Sequence, residues 1–121
     1  MQISDQALLR NQAYIDGQWC DADSGELLSV MNPATGSVIS EIAKCGTAET
    51  RRAIEAAERA QVEWRRTTAK ERAAILRKWL ELMLGAQEDL AQIMTAEQGK
   101  PLAESRGEIA YGASYIEWFA E

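Results

Sequence analysis

The hydrophobic pattern changes period near Gly46, from the alternation typical of strands to the spacing typical of helices. Before that residue, "YIDGQW" at 14–19 places an Asp-Gly pair between two short apolar-aromatic segments. Because Asp and Gly tolerate the positive φ angles of a tight turn, this stretch predicts a two-residue β-hairpin.

Turn residues divide the following stretch. A cluster at 21–26, "DADSGE", predicts a second turn. Residues 27–46 then predict a strand, a turn and another strand, with Asn32-Pro33 and Thr35-Gly36 forming the break.

Three helices are predicted from Thr47 onward. The first begins near Thr47 with Glu49 in its first turn, where a carboxylate favours the helix dipole. Its predicted buried stripe comprises Ile54, Ala57, Ala60 or Gln61, and Trp64.

The second predicted helix begins at a capping box formed by Thr68 and Glu71, carries Gly85 in its interior and ends at Gly99. Pro101 then opens the third helix in its first turn. The predicted fold class is therefore α+β as a fragment, with strands and hairpins over residues 1–46 and three α-helices over residues 47–121. Such small strand ribbons are only marginally stable on their own.

The last helix has an unusually wide apolar face. On a helical wheel Tyr115, Ile116, Trp118 and Phe119 fill about half the circumference, and Glu108 and Gly112 lie within that half. Glu108 either extends its carboxylate to water near the helix start, or joins Gly112 and Tyr115 in lining a cavity wall. The missing partner of this face is either further sequence or a second chain.

Composition removes several classes of function. A net charge of −6 and a pI near 4.8 argue against binding a phosphate backbone. The N-terminus is too polar for a signal peptide, and no apolar run is long enough to span a membrane. Two isolated cysteines, Cys20 and Cys45, indicate free thiols in a reducing cytosol, so we expect a cytoplasmic protein.

Candidate chemistry is sparse. The chain has no histidine, which removes the usual general base and the commonest zinc ligand. It contains neither a G-x-G-x-x-G nor a G-x-x-x-x-G-K-[ST] motif for holding a nucleotide. We therefore predict no catalytic and no cofactor-binding residues within these 121 positions.

Four segments, taken in order, resemble the N-terminus of an aldehyde dehydrogenase. They are "YIDGQW" (14–19), "MNPATGSVISEIAKCG" (31–46), "AIEAAERAQVEWRRTTAKERAAILRKW" (53–79) and "MTAEQGKPLAESRGEIAYGASYIEWFAE" (94–121). Within that family the later segments are most similar to succinate-semialdehyde dehydrogenases. The Asn-Pro-x-x-Gly motif alone would be weak evidence for the family, whereas the four segments together, in this order, are specific to it.

The resemblance implies a longer parent chain, truncated here, with a Rossmann-like NAD(P) domain, a catalytic domain and an oligomerisation arm. In the family a cysteine thiolate attacks the aldehyde, hydride passes to NAD or NADP, and a glutamate-activated water hydrolyses the thioester. Neither Cys20 nor Cys45 matches that nucleophile, and neither Glu97 nor Glu108 matches that base. The fragment alone is thus expected to be inactive. Its expected partners are the rest of its own chain, further copies of the parent enzyme in a homo-oligomer, and a small-molecule aldehyde substrate.

Two sets of site residues follow from the resemblance. Some relatives bind a monovalent cation through main-chain carbonyls matching Val30 and Met31 and an acid matching Glu97. Relatives commonly have Asp at the acidic position where this chain has Glu97, and the longer side chain changes the geometry of the site. The alternative to a cation ligand is that Glu97 is simply an exposed residue near a helix end. The family's substrate entrance matches Glu108 and Gly112, although Glu108 would repel an anionic substrate.

Another class of function is a freestanding acidic helical module that buries its last helix against a partner or its own copy. A reading frame that continues into a Gly-rich turn and a Cys-containing motif favours the dehydrogenase, whereas a stop after Glu121 favours the module.

Overall fold

A computed structural model describes all 121 residues and places strands first and helices last, which confirms the α+β fragment. The strands are β1 (Ala13–Ile15), β2 (Gln18–Cys20), β3 (Leu27–Met31) and β4 (Val38–Ala43). The helices are α1 (Thr47–Trp64), α2 (Ala69–Gly85), α3 (Gln87–Gln98) and α4 (Leu102–Ala120), with a 3₁₀ turn at Gln6–Leu8. No helix combines the length and the hydropathy that a membrane span requires.

The chain forms two compact units. The strand unit comprises Leu9–Met31 and Ser37–Arg66, and thus contains both hairpins and α1. The helical unit comprises Met1–Leu8, Asn32–Gly36 and Thr67–Glu121, and thus contains α2, α3 and α4.

The first predicted hairpin is confirmed. Strands β1 and β2 pair antiparallel with Tyr14 opposite Trp19. Asp16 and Gly17, at the turn, have φ angles of 53° and 78°. Both are positive, as a type I′ turn requires, so the Asp-Gly pair determines the register of the two strands.

The second predicted hairpin is also confirmed. Strands β3 and β4 pair antiparallel from Leu27–Ala43 onward, with a register shift between Val30 and Met31. In the connecting turn the Asn32 side-chain oxygen accepts hydrogen bonds from the backbone N–H groups of Ala34 (2.9 Å) and Thr35 (3.3 Å). This side-chain bonding fixes the Asn-Pro turn locally.

Helix α1 begins at Thr47 as predicted, but its predicted stripe was wrong. Ile54 is 63% exposed and Trp64 is 37% exposed, whereas Ala56 is buried. The inward face instead carries Glu49, Ala53 and Ala56, of which Glu49 and Ala56 are buried. Choosing the buried face by its large apolar residues therefore selected the wrong side of α1.

The second predicted helix is two helices, so the structure has four in total. Gly85 does not lie inside a helix but ends α2, and Ala86 breaks the geometry at φ −100° and ψ 11°. Glu88 and Asp89 occupy the first turn of α3, where carboxylates favour the new N-terminus. Because apolar residues continue at helical spacing on both sides of the break, the sequence pattern predicted one continuous helix.

Small residues form the core of the helical unit. Ala91, Ser105 and Ala113 are at most 1% exposed, where α4 packs against α2 and α3. The hydroxyl oxygens of Thr95 and Ser105 lie 2.8 Å apart, so the buried Ser105 is hydrogen-bonded. Small side chains let the three helices approach closely.

One buried carboxylate fixes the N-terminal segment. Asp89 accepts hydrogen bonds from the backbone N–H groups of Ser4 and Asp5, each at 2.9 Å. Gln92, one turn later, accepts a bond from the N–H of Gln2 at 3.0 Å. The first residues of the chain are therefore held against α3.

Candidate functional site

An open groove runs along the end of α4 in the helical unit. Its volume is about 730 Å³. The lining residues are Tyr111, Ser114, Tyr115, Glu117, Trp118, Phe119 and Glu121. Trp118 is 78% exposed and Phe119 is 73% exposed. The apolar face predicted to lack a partner is thus uncovered in this chain.

Two tyrosines give the groove a fixed polar edge. The hydroxyl oxygens of Tyr111 and Tyr115 lie 2.6 Å apart, and their rings meet edge to face at 5.1 Å. This hydrogen bond raises the pKa of Tyr115 above its ordinary value, so its phenol stays protonated well past neutral pH. The Ser114 hydroxyl donates to the Tyr111 carbonyl at 2.7 Å.

The two carboxylates of the groove differ in their partners. Glu121 forms an ion pair with Arg77 of α2 at 2.9 Å. Glu117 forms no ion pair. Its negative charge is therefore available to a group that enters the groove.

Glu108 and Gly112, predicted at a substrate entrance, do not line this groove. The Glu108 carboxylate pairs with Lys100, whose side chain is only 15% exposed. A Cβ built on Gly112 would lie 3.4 Å from Met83 Cε, so Gly112 faces α2. The wheel was wrong to place Gly112 on the uncovered face, because it ignored the close approach of α2. The entrance role itself stays a prediction.

The predicted cation ligands fall in different units. Glu97 is exposed in the last turn of α3, in the helical unit. Val30 and Met31 lie at the end of β3, in the strand unit. No group of three or more His, Cys, Asp or Glu side chains gathers as a metal site. The cation site therefore stays a prediction that relies on main-chain carbonyls.

A second, smaller pocket in the helical unit has a volume of about 310 Å³. Its lining residues are Met1, Asn32, Ala34, Gln92, Thr95, Ala96, Gly99 and Leu102. Beside it, the Asn-Pro turn packs on the end of α3, where Pro33 contacts Gly99. None of its lining side chains is charged.

Both cysteines are free thiols, as predicted. The Cys20 thiol lies 3.5 Å from the Ala13 carbonyl oxygen. Desolvation and then the negative charge of Glu49 raise the pKa of the Cys45 thiol above its ordinary value. Cys45 is accordingly protonated and weakly nucleophilic at neutral pH.

Glu49 was predicted only as a dipole-favouring residue, yet its carboxylate organises the start of α1. It is 4% exposed and accepts hydrogen bonds from the N–H groups of Asp23 (2.7 Å) and Gly46 (2.9 Å). These bonds lower the pKa of Glu49 below its ordinary value. Asp23 also pairs with Arg52 at 2.6 Å, which lowers the pKa of Asp23.

The profile of the aldehyde dehydrogenase family matches residues 19–121. The chain belongs to the aldehyde dehydrogenase family, which confirms the resemblance.

Curated relatives match the whole chain. It is 64% identical over 121 residues to a glutarate-semialdehyde dehydrogenase of Pseudomonas putida. It is 57% identical over the same length to a succinate-semialdehyde dehydrogenase [NADP(+)] of Escherichia coli. In both cases all of this chain is covered but only 25% of the relative, so the chain spans about a quarter of their length.

Solved structures agree. A succinate-semialdehyde dehydrogenase from Burkholderia pseudomallei superposes with a TM-score of 0.96 at 57% identity, over 99% of this chain and 25% of that one. A betaine aldehyde dehydrogenase from Staphylococcus aureus, solved with NAD⁺, superposes at 0.89 with 29% identity, over 95% of this chain and 23% of that one. The fold is thus that of a segment of these enzymes.

Proposed function

We propose that this chain forms the N-terminal quarter of an NAD(P)-dependent semialdehyde dehydrogenase and oxidises nothing by itself. The observation that carries this proposal is full-length coverage of the chain at 57–64% identity by enzymes of which it makes up 25%. In this arrangement the hairpins and helices α1–α4 support a catalytic body that lies elsewhere in the enzyme. The nucleophilic cysteine, the general base and the cofactor-binding residues belong to that body.

The proposed substrate class is a short aldehyde that carries a terminal carboxylate. Succinate semialdehyde is the first candidate, since relatives from Escherichia coli and Acinetobacter baylyi are named for it. Glutarate semialdehyde, one methylene longer, is the second, because two relatives at 64% and 60% identity are named for it. The proposed products are the corresponding dicarboxylates.

NAD or NADP is the proposed cofactor of the complete enzyme, where it accepts a hydride. A Staphylococcus aureus neighbour was solved with NAD⁺, and the Escherichia coli relative is named for NADP⁺. The chain carries no Gly-rich phosphate loop. None of its residues is therefore assigned to the cofactor or to a chemical step.

A chimera tests this proposal directly. These 121 residues replace the matching quarter of the Pseudomonas putida relative, whose own catalytic body follows. We expect NAD(P)-dependent oxidation of succinate or glutarate semialdehyde within about tenfold of the parent relative, a loss of no more than about 1.4 kcal/mol in transition-state stabilisation. The isolated chain, assayed alongside, should show no turnover.

Two results would contradict the proposal. A chimera that is soluble and takes up cofactor, yet oxidises neither semialdehyde, would remove the dehydrogenase role. Turnover by the purified 121-residue chain would show that it holds a complete site of its own. Ratios of kcat/KM for the two aldehydes and the two cofactors would also identify substrate and cofactor preference.

The cation site belongs to the same proposal. Carbonyl oxygens of Val30 and Met31 with the Glu97 carboxylate are oxygen donors of the kind that a monovalent cation prefers. In the chimera, replacing sodium or potassium by choline should lower thermal stability. Glu97→Gln should remove most of that difference, and an unchanged difference would exclude Glu97 as a ligand.

The proposed setting is the cytoplasm, within a homo-oligomer, with no nucleic acid and no membrane as partner. The net charge of −6 argues against binding to nucleic acid. Light scattering of the chimera would measure its assembly, and fractionation of cells that express the full enzyme would test its location.

A further inference from the structure

We propose that Asp16 is a site of spontaneous backbone modification: its side-chain carboxyl condenses with the Gly17 backbone nitrogen to a cyclic imide, which water reopens to isoaspartate, and Arg59 slows this step. The modified segment is the turn that joins β1 to β2. The reaction needs no cofactor and no second protein. The inference therefore goes beyond the proposed function and does not depend on it.

The sequence singles out Asp16 among the aspartates. These are Asp5, Asp16, Asp21, Asp23 and Asp89, and only Asp16 is followed by glycine. A side chain on the following residue hinders the approach of its backbone nitrogen to the aspartate carboxyl, and glycine has no such side chain. A Cβ built on Gly17 would meet nothing within 4 Å, so the space around the reacting bond is open.

The fold leaves both reacting groups accessible. The Asp16 side chain is 70% exposed. The Gly17 N–H donates no hydrogen bond, because the strands pair through Ile15 and Gln18 on either side of the turn. The nitrogen therefore has no backbone partner to lose before it attacks the carboxyl.

The turn is also strained and weakly held. Asp16 is the only residue other than glycine with a positive φ, at 53°, a conformation that L side chains disfavour. The hairpin that it closes has three residue pairs, and ribbons of this size are only marginally stable. Local opening therefore costs little, and it frees Asp16 to rotate until its carboxyl meets the Gly17 nitrogen.

The reaction balances with water alone. The Gly17 nitrogen forms a bond to Cγ of Asp16, and its proton leaves with a carboxyl hydroxyl as water. Water then adds to one of the two imide carbonyls. Cleavage at Cγ restores aspartate, whereas cleavage at the main-chain carbonyl leaves isoaspartate, and nothing is oxidised or reduced.

Arg59 of α1 opposes the first step. Its Nη2 lies 3.2 Å from Oδ2 of Asp16. Forming the imide removes the carboxylate charge, so this ion pair has to break beforehand. Because the two side chains are 64% and 70% exposed, the pair is weak and slows the step without preventing it.

Isoaspartate would change the hairpin itself. It adds one carbon to the backbone of a two-residue turn, and the length of such a turn determines the register of the strands. The pairing of Tyr14 with Trp19, whose rings lie 5.0 Å apart, would then be lost. The modification would therefore separate β1 from β2.

Ageing in water enriched in heavy oxygen tests the proposal. The 121-residue chain and the chimera described above are incubated side by side at neutral pH for several weeks and digested. Mass spectrometry locates the heavy oxygen that imide hydrolysis adds, and chromatography separates isoaspartyl from aspartyl peptides. We expect Asp16 to be labelled at least about tenfold faster than Asp23, which is also exposed but precedes Ser24.

Two variants of α1 test the part played by Arg59. Arg59→Gln should speed the labelling of Asp16 about two- to fivefold, since an exposed ion pair contributes little. Arg51→Gln is the matched control, because Arg51 lies on the same helix and does not pair with Asp16, and it should leave the rate unchanged. Equal rates in the two variants would overturn the assignment of Arg59.

The remaining outcomes are also decisive. Labelling of Asp16 no faster than that of Asp23 would overturn the proposal, and this holds whether or not the chimera oxidises a semialdehyde. Labelling in the 121-residue chain that is absent from the chimera would overturn it for the complete enzyme. Faster amide hydrogen exchange over residues 13–20 in the isoaspartyl fraction would confirm the loss of strand pairing, and unchanged exchange would contradict it.

Discussion

Pro33 and Gly99 lie so close together that a Cβ on Gly99 would be 2.8 Å from Pro33 Cγ. Gly99 also has a φ of +85°, and its N–H donates to the Thr95 carbonyl at 2.9 Å as α3 ends. The position thus requires glycine twice, once for the left-handed backbone and once for the contact with the turn.

Gly99→Ala should destabilise the chain by about 1–3 kcal/mol, because the left-handed conformation and the Pro33 contact both oppose a side chain. Urea unfolding followed by circular dichroism measures the change. Gly107→Ala is the matched control, since Gly107 lies inside α4 and its Cβ would meet nothing within 4 Å, and it should stabilise by about 0.5–1 kcal/mol. Equal effects at the two sites would show that the Pro33 contact and the backbone angle carry no energy.

Thr95→Val should cost about 1–3 kcal/mol, because it leaves the fully buried Ser105 hydroxyl without its partner. Adding Ser105→Ala removes the orphaned hydroxyl and should recover part of that loss. Urea unfolding of Thr95→Val, Ser105→Ala and the double variant gives the coupling, which is the change in the double variant minus the sum of the two single changes. Strictly additive free energies would contradict the hydrogen bond between Thr95 and Ser105.

Local signals predicted the turns and caps well, because each depends on residues close in sequence. The Asp16-Gly17 hairpin and the capping box at Thr68 are of this kind. Features that depend on distant residues were not predictable. Asp89 binds Ser4 and Asp5 across more than eighty positions, and the inward face of Gly112 depends on where Met83 of α2 lies.

Thr68→Ala should destabilise the start of α2 by about 1 kcal/mol, since the Thr68 hydroxyl accepts from the Glu71 N–H at 3.2 Å. Thermal and urea unfolding measure this. Thr50→Ala provides a matched control, because the Thr50 hydroxyl donates to the Gly46 carbonyl inside a helix and alanine compensates by its helix propensity. We expect the control to change stability by less than about 0.5 kcal/mol.

Glu49 should make the strand unit sensitive to acid. Its pKa is lowered in the folded state by backbone N–H donors, so its contribution is fully present above the ordinary value of 4.5 and is lost as pH falls through the folded pKa. Glu49→Gln should lower the urea midpoint at neutral pH and flatten its decline between about pH 5 and about pH 3. An unchanged slope in Glu49→Gln would contradict the role of these donors.

Gly112→Ala separates packing from a role at the substrate entrance. Its Cβ would lie 3.4 Å from Met83 Cε, a flexible terminus that can shift, so we expect a net stabilisation of up to about 1 kcal/mol from helix propensity. If Gly112 borders the aldehyde's path, the same variant in the chimera should raise KM for the semialdehyde several-fold with little change in kcat, because a methyl group obstructs entry. Gly107→Ala on the same helix, where a Cβ meets nothing within 4 Å, should stabilise similarly and leave KM unchanged.

Glu108→Gln should lower KM for an anionic semialdehyde but not for a neutral aldehyde, since it removes a like charge. Unchanged KM values in both Gly112→Ala and Glu108→Gln would show that neither residue borders the entrance. Gly112 would then only pack against Met83, and Glu108 would only pair with Lys100.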